Sequence, residues 1–482
     1  MSRKYSHLRL GWAFLFSILI FSSGAAWSWG WMAHRWINGQ AFEHLPVEMA
    51  SFGRWTRAVA AHASDADYRK SRDPLEAPRH WIDIDSYPEF TQGRLSHNLD
   101  SLRARHGHRL DVYRNGVVPW AIAEVTESLS VAMAAGDWGE AILQAADLGH
   151  YVGDLHQPLH TTKNYDGQLT GNDGIHLRYE IDMIRRNLDQ LRADSALASY
   201  VEDPLEHVFS TIQGTWSYVD SIMAADRQAR KKDPIYGDGY YRILWEETGH
   251  FTVKQLAQAT QILADLWYTA WIDAARPQFL CSSATVAIAD LQADPQAYNL
   301  VTVQGVVTIG SGVLDQEHTR IYLQDGSGRG ILIFDRHPID GFLRGDLVRV
   351  EGTAQEYRDV TEITGPWVSV LEKNCPPPAP QVLATGEADD PQWDGTMVRV
   401  QGTVVFTLQD QDWTRLYLND GTGALVVLVW RETGIDLASV EVGDVMTISG
   451  VGTYLSNEGS YAILPGYEDQ VVREKRTAEL KR

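Results

Sequence analysis

Positive charge is scarce in this chain: 42 lysines and arginines face 63 aspartates and glutamates, for a formal net charge of −21. That balance argues against loose electrostatic attachment to nucleic acid or an anionic membrane, because counterion release requires a basic surface, although a local metal charge would still attract phosphate. Cysteine is scarcer still. Cys281 and Cys375 are the only two; they bracket about one domain's length of sequence, and a disulfide joining that domain's ends and two free thiols both stay open. Long apolar runs are nearly missing as well. WAFLFSILIF near the N-terminus is too short to span a bilayer comfortably as a permanent helix. With Arg3, Lys4 and Arg9 before it and small residues after it, the run reads as a secretory signal peptide. Cleavage after Ser28 leaves Trp29 as the new terminus, and cleavage after Ala26 leaves Trp27. The expected location is therefore periplasmic or extracellular, an oxidising setting for the cysteines.

What the chain does have is a dense set of metal-ligating side chains. The stretch from His150 to Glu180 reads HYVGDLHQPLHTTKNYDGQLTGNDGIHLRYE. On helices, His150 and Asp154 project from one face, as do His176 and Glu180, and His160 closes a Gln-Pro turn between them. Imidazole nitrogens and carboxylate oxygens are zinc ligands. One His/Asp pair alone would read as a surface ion pair. Here the first pair lies in the apolar run AILQAADLGHYVGDL, where an uncompensated carboxylate costs several kcal/mol. Upstream, His34 opens a helix-like pattern. Asp65, Asp67, His80, Asp83 and Asp85 cluster around proline-marked loops and are candidate outer ligands.

At 482 residues the chain is too long for a single ordinary core. Apolar residues recur at helical spacing from Pro119 to Gly136 and from Trp138 to Val152, with a break at Gly136-Asp137. A last long helix is expected over FTVKQLAQATQILADLWYTAWIDAA, with Trp267 and Trp271 in packing roles. The first large domain is thus all-α.

Beyond Cys281 the period falls to two and an internal repeat appears. Val303-Gln304-Gly305 answers Val400-Gln401-Gly402, Thr319-Arg320 answers Thr414-Arg415, and Asp325-Gly326 answers Asp420-Gly421. Each copy has enough short strands for one small barrel and resembles an OB-fold, a fold that commonly binds oligonucleotides or oligosaccharides. NCPPPAPQ between the copies is expected to act as a stiff spacer. Tyr322, Tyr417, Trp413 and Trp430 are available to stack bases if they are not simply packed.

With those ligands assembled, residues 29–280 resemble the phospholipase C/P1 nuclease superfamily of secreted all-α zinc phosphoesterases. The resemblance rests on Trp29 with His34, Asp65 with His80, the HxxxDxxxxxH set His150-Asp154-His160, and the HxxxE pair His176-Glu180. It implies three Zn2+ ions. Asp65, His80, His150 and Asp154 would hold one, with Asp67 as the alternative to Asp65. His160, His176 and Glu180 would hold a second, and His34, Asp154 and the amine and carbonyl of Trp29 the third. Asp154 would bridge two metals in a catalytic role. Asp83 would orient a hydroxide or a ligand, a plain loop role being the other reading, and Trp81 would stack a substrate base unless it only packs. His62 and His156 are read as non-ligands.

The expected architecture is multidomain: a signal peptide over 1–28, an all-α phospholipase C/P1 nuclease-like domain over 29–280, OB-fold-like barrels over 281–376 and 377–476, and a charged tail over 477–482. The expected substrate is single-stranded DNA or RNA, with phospholipid as the alternative; no protein partner is evident. GDLHQPLH and the short Trp29-to-His34 interval look like the nucleases of the superfamily, whereas HLRYE and the short His160-to-His176 interval look like its bacterial phospholipases C. A third reading is a zinc-stabilised binding protein without turnover.

Overall fold

The computed structural model describes residues 30–107, 111–193, 196–278, 284–298, 300–456 and 459–474. Trp27, Trp29, the signal segment, Cys281 and the tail at 477–482 lie outside the described residues.

From Gly30 to Asp273 the chain is helical: α1 (Gly30–Gln40), α2 (Thr56–Ala61), α3 (Asp65–Arg69), α4 (Leu99–His106), α5 (Val118–Ala135), α6 (Trp138–Leu155), α7 (Ile175–Leu177), α8 (Pro204–Trp216), α9 (Val219–Lys232) and α10 (Asp238–Asp273). The two helices expected around Gly136 are α5 and α6. Gly136 takes a left-handed φ of 71° that ends α5, and the Asp137 side chain then caps α6 by accepting from the Glu140 amide. The last helix starts at Asp238, well before the expected Phe251, because its early residues Tyr240 and Leu244 are buried in the same core. Trp267 is fully buried and donates its indole N–H to the Ala145 carbonyl, a packing role. No described helix is long and apolar enough to cross a membrane. One further short helix, α11 (Ile288–Ala293), leads into the β region.

The first sheet is a closed barrel of β1 (Leu300–Ile309), β2 (Thr319–Gln324), β3 (Gly330–Asp335), β4 (Leu347–Tyr357) and β5 (Val360–Glu372) in the order β1-β2-β3-β5-β4. The second contains β6 (Gln381–Leu383), β7 (Met397–Gln409), β8 (Trp413–Asn419), β9 (Ala424–Trp430), β10 (Val445–Leu455), β11 (Ser460–Leu464) and β12 (Val471–Arg473). Pairing of β10 with β7 closes it along the same path. The repeat extends to irregularities: β1 shifts register between Val307 and Ile309, and β7 shifts at the equivalent Val404 and Phe406.

Three expectations for this half are corrected, at the linker, at Tyr322 and at the cysteines. The prolines do not hold the barrels apart. Ile309, Leu314, Tyr322 and Leu332 of the first barrel share a buried cluster with Met397, Leu428, Val451 and Leu464 of the second. Full burial of such side chains stabilises by roughly 1.5–3 kcal/mol each. Tyr322 is wholly buried there and so is no stacking platform, and Trp413 and Trp430 are partly buried against the same cluster. Nor is the Cys281–Cys375 bridge formed, since Cys375 is a free, half-buried thiol. The barrel's ends need no covalent tie, because β1 and β4 are already paired from Leu300↔Thr353 to Val306↔Leu347.

The first barrel also seats on the helical region. The Trp55 indole donates to Glu351 at 3.3 Å, Arg54 pairs with the same carboxylate at 3.2 Å, and Arg35 pairs with Asp335 at 2.6 Å. Gly365, at φ 56°, approaches α2 so closely that a Cβ would lie 2.3 Å from the Ala58 Cα.

Candidate metal centre

Two glycines set the site's geometry. On α6, a Cβ at Gly149 would lie 1.7 Å from Asn38 Oδ1, and one at Gly153 would lie 2.9 Å from His34 Nδ1. Their missing side chains let α1 cross α6 at close range. The crossing stacks the His34 ring on His150 with centroids 3.9 Å apart. It is held by Asn38, which donates to the carbonyls of Val59 and Ala146.

Asp154 lies at the centre, fully buried. Its Oδ2 is 2.9 Å from His80 Nδ1 and 3.4 Å from His150 Nε2. Its Oδ1 is 3.5 Å from both His34 Nε2 and His160 Nδ1 and has no hydrogen-bond partner. Three groups of donor atoms, each within 4.8 Å, surround it: His34, His150 and Asp154; Asp67, His80 and His150; and His160, His176 and Glu180.

The second carboxylate is Asp67, not the favoured Asp65. Asp67 Oδ1 lies 3.6 Å from His80 Nδ1 and 3.5 Å from His150 Nε2. Asp65 turns away and meets His62 Nδ1 at 2.5 Å, with its side chain 35% exposed against 5% for Asp67. His62 in turn hydrogen-bonds Thr353 of the first barrel. Neither His62 nor His156 belongs to a donor group; His156 Nδ1 instead donates to the Val152 carbonyl at 2.7 Å.

The donor chemistry fits cations. His150 Nδ1 donates to the Ala63 carbonyl at 2.7 Å, His160 Nδ1 to His80 O at 2.7 Å, and His176 Nδ1 to Tyr165 O at 3.1 Å. With Nδ1 so engaged, each ring in its neutral form would present its Nε2 lone pair inward, the arrangement typical of metal-ligating histidines. His160 Nε2 and His176 Nε2 face each other at 3.2 Å, with Glu180 Oε2 at 2.7 Å from the second. Two lone pairs and a carboxylate so close repel unless a positive charge lies among them.

The buried carboxylates draw two rings toward the charged form: burial lowers His150, but Asp154 and Asp67 outweigh it and raise the ring to about 10, and Asp154 and Glu180 likewise raise His160 against burial; a bound cation would take the place of those protons. Burial pushes Glu180 up, but the imidazoles of His176 and His160 outweigh it and hold the carboxyl at about 2. Burial opposes ionisation of Asp154 as well, yet His150 and His160 keep it well below the usual carboxylate range. For His34, burial followed by the nearby His150 charge lowers the ring to about 3, so it is a neutral donor.

A supporting shell was legible only in part. Glu76, one helical turn before His80, sits 3.3 Å from His80 Nε2 and also bonds the Tyr151 hydroxyl. Gln157 donates to Glu180 Oε2 at 2.8 Å. The i, i+4 spacing of Glu76 and His80 could have been read from the sequence; the long-range partners Asn38 and Gln157 could not. The Gly30 amide lies 3.4 Å from Glu180 Oε1, so the described chain begins beside the group of His160, His176 and Glu180; Trp29 itself is outside the described residues.

Asp83 and Trp81 are not in the donor groups. Both line a cleft of about 1520 Å³ that opens over His80, His160 and His176. Burial, then the charge of Asp85, raises the Asp83 carboxyl to about 6. The Trp81 ring rests against Gly116, whose φ of 89° admits no Cβ: one would lie 2.4 Å from the indole Cδ1.

No protein-family model matches the chain, and no curated protein matches it. Among solved structures, the alpha toxin from Clostridium absonum is similar at 14% identity and a TM-score of 0.32, over 71% of this chain and 83% of that one. A murine DNA-binding protein bound with double-stranded DNA is similar at 16% identity and 0.24, over 36% of this chain and 97% of that one. Fission yeast Pot1 with single-stranded DNA is similar at 13% identity and 0.21, over 42% and 91%. At these scores the likenesses decide neither fold nor activity, and the donor groups stand on their own geometry.

Proposed function

We propose that this protein is an exported zinc-dependent phosphodiesterase, acting as a nuclease on single-stranded DNA or RNA. The observation that carries the proposal is the set of three donor groups, two of them sharing His150 and the third adjoining Asp154 through His160, with Asp67, His80, His160 and His176 lining one cleft. Purely structural zinc sites are closed and have no use for such clustering beside an open cleft. In this reading His34, Asp67, His80, His150, Asp154, His160, His176 and Glu180 hold three zinc ions, and the mature amine of Trp29 completes the third. Gly30, the next residue, begins α1, the helix that carries His34, which supports that last assignment.

Bound zinc would supply Lewis-acid neutralisation of phosphate charge and a hydroxide at neutral pH. The chain's own residues then orient and protect. Backbone carbonyls of Ala63, His80 and Tyr165 fix three ring tautomers. Gln157 steadies Glu180, and Asp83 in the cleft wall orients or accepts a proton. The strand order β1-β2-β3-β5-β4, repeated in the second barrel, supports reading both as OB-fold-like.

A phospholipase C is the second reading, favoured by the short His160-to-His176 interval. The deciding experiment incubates mature protein with single-stranded DNA, RNA and phosphatidylcholine, with and without chelator. Nucleotide release abolished by chelator is the expected result. Chelator-sensitive phosphocholine release without nucleotide release would reverse the order. Full zinc occupancy with no hydrolysis of bis-p-nitrophenyl phosphate would leave the non-catalytic binding protein.

A further inference from the structure

The cleft over the donor groups has two walls from different parts of the chain. One belongs to the helical region and carries Arg72, Arg114 and Trp81; the other belongs to the first barrel and carries Arg320, Arg336, Arg358 and Tyr357. Seven arginines line this opening in a chain of net charge −21; Arg35 and Arg69 are ion-paired with Asp335 and Asp147, which leaves these five. The sequence gives no sign of it, because the five are scattered over nearly three hundred positions.

The barrel's three arginines are held by aromatic groups. Arg336 donates to the Tyr68 hydroxyl at 3.1 Å and lies 5.2 Å from the Trp31 ring. Arg320 lies 5.9 Å from the Phe334 ring and Arg358 5.1 Å from Tyr357. Such contacts position a guanidinium without neutralising it. Of the acids lining the cleft, Asp335 pairs with Arg35, Asp65 with His62 and Asp67 with Lys70; Glu362 accepts from Gln355 and also feels the charges of Arg320 and Arg336, and Glu356 and Asp83 line the cleft too.

The backbone adds an independent sign. Arg358 and Asp359 form the two-residue turn between β4 and β5 with φ of 52° and 63°. Such turns favour Asn-Gly or Gly-Gly. An arginine kept in left-handed backbone at the mouth of a cleft is strain placed where a ligand would meet it. The cleft's volume of about 1520 Å³ also exceeds the roughly 300–1000 Å³ of ordinary small-molecule pockets.

We infer that the first barrel is the second wall of the active-site cleft, and that Arg320, Arg336 and Arg358 bind the phosphates of a single-stranded nucleic acid running past the metal centre. Trp81 and Tyr357 offer faces for its bases. The choice of polymer rests on the phosphodiesterase reading above. A flexible strand can lie between two walls, whereas a bilayer surface cannot enter them.

The test is equilibrium binding, which needs no turnover. Fluorescence anisotropy of a labelled phosphorothioate oligothymidylate is measured with the intact zinc-loaded protein, with R336A/R358A, and with R186A/R242A, which removes the same charge outside the cleft. R336A/R358A is expected to bind roughly tenfold more weakly, with the slope of log affinity against log salt reduced by roughly 0.7 per lost phosphate contact. R186A/R242A is expected to bind as the parent does. The single variant R358A touches only an exposed turn, so its fold is not at stake, and it should show an intermediate loss. Equal binding by all variants, equal losses in both double variants, no binding by the parent, or displacement of the strand by phosphatidylcholine vesicles would each overturn the inference. Binding lost as expected from a protein that hydrolyses no diester would sink the proposed function and leave this cleft assignment standing.

Discussion

Among single residues, Asp154 carries the most weight, since its two oxygens face four imidazoles from three separate segments. Asp154→Asn is expected to lose more than one equivalent of zinc, read by elemental analysis, together with nearly all diesterase activity; unchanged metal content would refute the shared-ligand arrangement. The choice between Asp65 and Asp67 gives a sharper comparison. D67N should lose zinc, while D65N should keep full stoichiometry.

The sequence could not make that choice, because both aspartates stand at the start of α3 and differ only by about 200° of helical rotation. Its ligand types and their pairing at four-residue spacing were readable, since helical periodicity fixes them locally. Which of two neighbouring carboxylates points inward depends on how α3 meets α6, a long-range matter. Asp83 gives a pH signature. Its folded carboxyl titrates near 6 because of burial and Asp85, above an ordinary value near 3.8. The folded state therefore binds the extra proton, and its contribution to stability falls as pH rises from about 4 to 6. Thermal unfolding across that window should show the fall, and D83N should remove it. If Asp83 also acts as a base, the parent's activity should rise through the same range.

At the scale of elements, the α1–α6 crossing decides whether the donor groups exist. Gly149→Ala places a methyl carbon where Asn38 Oδ1 now lies. Overpacking of this kind costs about 1–3 kcal/mol. A lower unfolding midpoint in the metal-free protein, with weaker zinc binding, is the expected outcome; an unchanged midpoint would mean α1 shifts freely. The helices and the repeat were readable because period and capping are local properties, as at Gly136 and Asp137. The long reach of α10 and the burial of Tyr322 were not, because each depends on a partner surface far along the chain. The same holds for the arginine concentration: Arg114 and Arg358 become neighbours of one opening only after the first barrel has docked.

For the whole molecule, the seat of that barrel can be tested through Gly365. Its positive φ and the adjacent Ala58 backbone leave no room for a Cβ. G365A is expected to loosen the barrel from α2, seen as faster limited proteolysis around residues 274–300 and a larger radius of gyration in solution scattering. Zinc content should hold, since every described ligand lies before residue 181. Parent-like proteolysis and scattering would show that the seat tolerates the change.

The first barrel is braced on two sides, by Trp55, Arg54 and Arg35 of the helical region and by the apolar cluster it shares with the second barrel. Bracing on two sides opposes hinge motion of this wall. The cleft is thus better described as a slot than a jaw: under the proposed function, substrate would thread in lengthwise and products would leave the same way. Turnover would then be paced by chemistry or by strand release, with no closing step beforehand. The second copy in the tandem repeat would serve as a buttress, keeping the first in register with the metal centre.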